Sequence, residues 1–109
     1  MMRWINPLWW IQRAREREAM ELAAIAADRW RFFRQNIHLR EDVSLTETVG
    51  MFLEPMMVNA QMRYPRMVKR DRTVAIGAIL VGIGSTRDPE VDPMQLQAIF
   101  DALTKREVP

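Results

Sequence analysis

Apolar residues recur along this chain at helical spacing. Ala19, Ala23, Ala26, Trp30, Phe33 and Ile37 follow one another at steps of four, three, four, three and four, which places them on one face of an α-helix. No Gly or Pro falls between residues 8 and 37, and Ala, Glu, Arg, Leu and Met dominate there, so the pattern predicts one long helix over 8–37. Small side chains at positions 19, 23, 24, 26 and 27 would let another helix approach closely. Followed backwards, the seam meets Glu16 and Gln12 before it reaches Trp9 and Ile5. Residues 12–18 therefore read as a solvated spacer.

A second helix is expected to open at Ser44, with Glu47 completing a capping box. Its core face would carry Leu45, Val49, Phe52, Leu53, Met56 and Ala60, and Pro55 inside it would kink it near Met51, helped by Gly50. Tyr64-Pro65 breaks the pattern, and Pro65 suits the first position of a third helix. Met67, Val68, Val74, Ala75, Ala78, Ile79 and Gly82 fit one face of that helix, and Arg66, Lys69, Arg70 and Thr73 another. From Thr73 on it is apolar all round, which implies burial on all sides. A strand over 73–83 is the rival, weakened because a lone strand cannot satisfy its backbone. Residues 84–89 read as a loop. Asp92, Pro93 and Gln95 then open a short amphipathic helix through Leu96, Ile99, Phe100 and Leu103, with Lys105 and Arg106 at its C-terminal end. The expected fold is all-α, with about four helices: a long first, a second kinked at Pro55, a partly buried third and a short amphipathic fourth.

The aromatic residues change this picture at one end. Three of the four tryptophans, Trp4, Trp9 and Trp10, fall within the first ten residues, interrupted by Asn6-Pro7. Large apolar side chains concentrated near a terminus make sense when they are buried. Trp is also enriched at the centre of interfaces and at membrane surfaces. Three coverings are open: the chain's own core, a protein partner that includes a second copy, and a membrane surface with Arg3, Arg13, Arg15 and Arg17 on anionic lipid. The membrane reading is weakened by Glu16 and Glu18 and by the break at Asn6-Pro7. The division expected is an aromatic docking segment over 1–11 and one helical domain over 12–109.

Charge adds a second feature. The net charge is only +2 over 109 residues, but residues 1–38 and 63–87 are basic while 39–62 and 88–109 are acidic. Such alternation lets neighbouring helices attract one another. Arg63, Arg66, Lys69, Arg70 and Arg72 lie within ten residues, with Tyr64 among them. They could track a nucleic-acid backbone while Tyr64 stacks on a base. Otherwise they form a solvated face or pair with the acidic helices. Met51, Met56, Met57, Met62 and Met67 also cluster. Met56 belongs to the core face, whereas Met51, Met57 and Met62 fall partly off it and suit an adaptable docking surface.

Candidate chemistry is sparse. The chain has no cysteine and one histidine, which leaves no thiol nucleophile, Cys-zinc site or disulfide framework. His38 has no Ser, Cys or second His near it in sequence. Asp88, Glu90 and Asp92 alternate like the start of a calcium loop, but Pro93 stands where Gly is needed and Ile99 where the closing Glu belongs. The glycines at 82 and 84 lack the Lys of a phosphate loop. The longest uncharged run, 73–86, would extend about 21 Å as a helix, short of a ~30 Å hydrocarbon core. No cofactor or metal is expected, and a cytoplasmic location fits the cysteine-free composition. The expected function is non-enzymatic: an adaptor, inhibitor or assembly component that docks through Trp4, Trp9 and Trp10 and through Met51, Met57 and Met62. A protein partner or a homo-oligomer is expected first. Nucleic-acid binding through residues 63–72 and peripheral membrane association are the alternatives.

Overall fold

The computed structural model describes residues 7–36 and 44–105, with side chains from residue 16 onward within those ranges. Five α-helices follow in order: α1 (Pro7–Asn36), α2 (Leu45–Arg63), α3 (Pro65–Arg70), α4 (Arg72–Ser85) and α5 (Pro93–Thr104). There is no strand among the described residues, so the fold is all-α and the rival strand over 73–83 is replaced by α4.

The count of about four becomes five because the expected third helix is two. Asp71 sits in extended backbone (φ −154°, ψ 93°), and its side chain accepts the Thr73 N–H at 3.1 Å. Its own N–H donates to the Met67 carbonyl at 2.9 Å. One residue thus closes α3 and caps α4. The basic positions 66, 69 and 70 consequently lie on α3 and Thr73 on α4, not on one continuous helical face.

Among the other terminal signals, those of Ser44, Pro65, Asp92 and Pro93 act as their chemistry requires, whereas Gln95 makes no side-chain bond back to Asp92. The Ser44 hydroxyl accepts the Glu47 N–H at 3.1 Å, and the Glu47 carboxylate accepts the Ser44 N–H at 3.0 Å. The α2 helix runs through Pro55 from Leu45 to Arg63. Pro65 occupies the first turn of α3 and Pro93 that of α5. Asp92 caps α5 by accepting the Met94 N–H at 3.0 Å.

The central element is α4, which packs chiefly on α1 and also meets α2, α3 and α5. The close approach to α1 depends on small residues. A Cβ built on Gly82 would lie 2.3 Å from the Ala23 carbonyl oxygen and 2.9 Å from the Ala26 Cβ. The expectation that the alanines of α1 admit a neighbouring helix is met, with Gly82 as the opposing surface. Ala26 and Trp30 from the α1 seam are fully buried, as is Leu22, which lay off that seam. Trp30 packs edge-on to Phe52 (ring centroids 5.1 Å, interplanar angle 83°) and against Phe33 at 5.4 Å. The whole expected core face of α2 is buried. Burial of α4 on all sides is not observed: Val81 is 65% exposed, at the edge of the groove between α4 and α5.

A single cluster of buried residues draws on all five helices. Arg87, with φ 58°, turns the chain between α4 and α5. It presents Asp88 to α1, where the Asp88 carboxylate accepts from Trp30 Nε1 at 3.1 Å and from Arg34 Nε at 2.7 Å.

Candidate interaction surface

The α2 helix carries two apolar faces. One is the core face. The other consists of Met51, Pro55, Val58 and Met62, all exposed, with exposures of 52% at Met51, 56% at Val58 and 78% at Met62. Their steps of four, three and four put them within about 60° of arc at 3.6 residues per turn. The result is an apolar ridge on the outer side of α2. A soluble surface commonly carries single exposed apolar residues, whereas here four stand in one aligned row.

A groove runs along each side of the ridge. The first, about 1140 Å³, lies between α2 and the start of α4 with α3 and α5; Val58 and Met57 border it, Glu54 stands on its α2 wall, and Lys69 and Arg72 on the other. The second, about 780 Å³, lies between α1 and α2 and is bordered by Phe32, Phe33, Pro55 and Asn59. Phe32 is 67% exposed. The Asn59 Oδ1 is buried with no hydrogen-bond partner among the described residues, so it retains capacity to accept a donor at the groove wall.

The methionines expected to dock divide accordingly. Met51 and Met62 stand on the ridge, while Met57 is half-buried and faces the first groove. Val58 and Pro55 were missed by the focus on methionine. The signal was available as a second helical row, Met51-Pro55-Val58-Met62, offset from the core row.

Trp4 lies outside the described residues. Trp9 and Trp10 fall within α1, whose backbone is continuous across the expected boundary between residues 11 and 12, and their side chains lie outside the described residues. His38 and residues 39–43 also lie outside them.

Of the basic cluster, Arg63, Arg66, Lys69, Arg70 and Arg72 are all exposed. None forms an ion pair among the described residues, so the cluster is a solvated face there and does not pair with an acidic helix. Tyr64 departs from the stacking role. Its ring belongs to the core, 8% exposed, and its hydroxyl donates to Glu21 Oε1 at 3.0 Å. Burial and then the Glu21 hydrogen bond raise its pKa above the usual phenol value. Its position at the α2–α3 junction, between two basic residues in sequence, disguised a residue whose ring turns inward.

The acidic residues weighed as a cation loop serve other ends. Asp88 accepts from Trp30 and Arg34 and from the Glu90 N–H at 3.0 Å. Arg34 also pairs with Glu90. Burial by itself would raise the Asp88 carboxyl, but these hydrogen bonds outweigh it and hold the group below its usual value. The Arg34 guanidinium is raised by the same Asp88 bond. This pair links the basic first segment to the acidic last one, as the charge alternation anticipates. No group of three or more His, Cys, Asp or Glu able to hold a metal ion occurs among the described residues. No helix among them is long and apolar enough to cross a membrane.

Comparison of the chain with protein-family models, with curated proteins and with solved structures finds no match.

Proposed function

We propose that this chain is a non-enzymatic interaction protein, an adaptor, inhibitor or assembly component, and that the outer face of α2 is its principal contact surface. The observation that carries this reading is the exposed row Met51, Pro55, Val58 and Met62. Methionine supplies flexible, polarizable contact area that adapts to a partner, and the grooves on either side offer places for that partner's side chains. Trp4, Trp9 and Trp10 are a second set of anchors, of the type that dominates interface energetics.

A photoreactive residue at position 58, introduced in the cell of origin, tests the reading. Illumination is expected to give one or a few discrete adducts. The same group at Met94, 78% exposed on α5, is expected to give none. A diffuse product at both positions would remove the reading.

The five exposed cations of residues 63–72 support a second reading, nucleic-acid binding without Tyr64. It requires affinity that falls steeply with salt and is lost on reversing Arg66, Lys69 and Arg70. Binding that ignores salt, or no binding, removes it.

A further inference from the structure

The ridge on α2 has an internal symmetry. Met51 and Met62 are equidistant from a point between residues 56 and 57, and so are Pro55 and Val58. A two-fold axis through that point, perpendicular to α2, would set Met51 of one chain against Met62 of another and Pro55 against Val58. Such self-complementarity is the requirement of an isologous contact.

Charge selects the orientation. Glu47 lies in the first turn of α2 and Glu54 at its middle, before the point between residues 56 and 57. Arg63 ends the helix, and Arg66 and Lys69 follow on α3. Antiparallel pairing brings each acidic half toward the basic end of the other copy, whereas parallel pairing sets like charges together. The two helix dipoles also oppose favourably in the antiparallel arrangement. Because that two-fold keeps the same flank of each helix on the same side, the first groove of one chain faces the first groove of the other. Glu54 on one wall then looks across the interface toward the rim that carries Lys69 and Arg72.

From the palindromic spacing and the charge order, we infer that the partner of this surface is a second copy of the same chain, paired antiparallel through α2. This deepens the interaction reading above and rests on it. The ridge spans eleven helical steps, about 17 Å at ~1.5 Å each. An interface of this extent belongs to the small end of specific contacts, under ~1,200 Å², with association expected in the micromolar range.

The test uses the full chain and exploits its lack of cysteine. Met51→Cys and Met62→Cys chains are prepared separately, then mixed under mild oxidation, with Met94→Cys as the collision control. Antiparallel pairing predicts a cross-linked product in the mixture well above that of either chain alone. Light scattering is expected to read about twice 12.9 kDa at ~100 µM and to fall toward the single mass near ~1 µM. Val58→Glu sets two like charges near the two-fold and is expected to weaken association at least tenfold with helical circular dichroism unchanged. Val58→Lys provides the same test should the Glu variant fold poorly.

Cross-linking of Met51→Cys to itself would overturn the antiparallel arrangement. A monomer at every concentration, or a dimer indifferent to both Val58 variants, would overturn the self-association. In either case a discrete heterologous adduct from position 58 would leave the interaction reading intact, and its absence would remove that reading as well.

Discussion

At Gly82, an added Cβ would stand 2.3 Å from the Ala23 carbonyl oxygen, well inside van der Waals contact distance. The obstruction is backbone, which cannot rotate away as a flexible side chain could. Gly82→Ala is therefore expected to force α1 and α4 apart and to cost about 1 to 3 kcal/mol or more, although alanine is the better helix former. Thermal unfolding by circular dichroism would read this as a lowered Tm, and an unchanged or raised Tm would contradict the close crossing. A second residue-scale expectation concerns Asp88. Its folded pKa lies below the ordinary 3.8, so the carboxylate contributes stability that is fully present above that value. This contribution is lost as pH falls below 3.8 and through the folded value. Asp88→Asn should lower Tm at neutral pH, with about 1 to 3 kcal/mol at stake for hydrogen bonds to a charged group. It should also flatten the acid limb of the stability curve below pH 4. An acid limb as steep as that of the parent would exclude Asp88 as its source.

Among the elements, α2 is informative because it carries two apolar faces. A helix with a single apolar face has one place to go. This one satisfies the core with Leu45, Val49, Phe52, Leu53, Met56 and Ala60 and still presents Met51, Val58 and Met62 outward. The core row was legible in the sequence because its spacing is helical and its members are large. The outer row was harder to read, because proline and valine break the run of methionines that first draws notice. The boundary between α3 and α4 shows what local pattern reading missed. Asp71 lies in a basic run, yet its backbone N–H closes one helix and its side chain caps the next. Asp71→Ala should cost about 1 kcal/mol, and Asp71→Asn, which keeps the capping acceptor, much less. Ser44→Ala should likewise cost about 1 kcal/mol through loss of the α2 cap. Equal effects of Asn and Ala at position 71 would show that the charge matters there and the cap does not.

On the scale of the whole molecule, one core joins all five helices. Unfolding of the isolated chain should therefore be a single transition, with calorimetric and van't Hoff enthalpies in agreement for the Val58→Glu variant. In the parent chain Tm is expected to rise with protein concentration, because association stabilises the folded state by mass action. A concentration-independent Tm in the parent would speak against self-association. The solvated basic face of residues 63–72 lies beside the ridge, and it gives the molecule a charge asymmetry that its small net charge of +2 conceals.

The sequence by itself determined that the chain is helical, though not the division of its third helix at Asp71: spacing, helix-forming composition, the Ser44 and Asp92 caps and the prolines at 65 and 93 are local properties, written within a few residues of where they act. It also determined the core face of α2 and the α1 seam, since periodicity assigns residues to a common side. Only the tertiary structure decided which side meets which. Gly82 became the seat of a close crossing because Ala23 and Ala26 lie opposite it. Tyr64 turned into the core because Glu21, forty-three residues away, accepts its hydroxyl. Asp88 became a partner of Trp30 and Arg34 because the turn at Arg87 brings it back to α1. Val81 was left exposed because α4 has neighbours on some sides and not on all. Each of these depends on the relative placement of segments far apart in the chain, which no local spacing encodes.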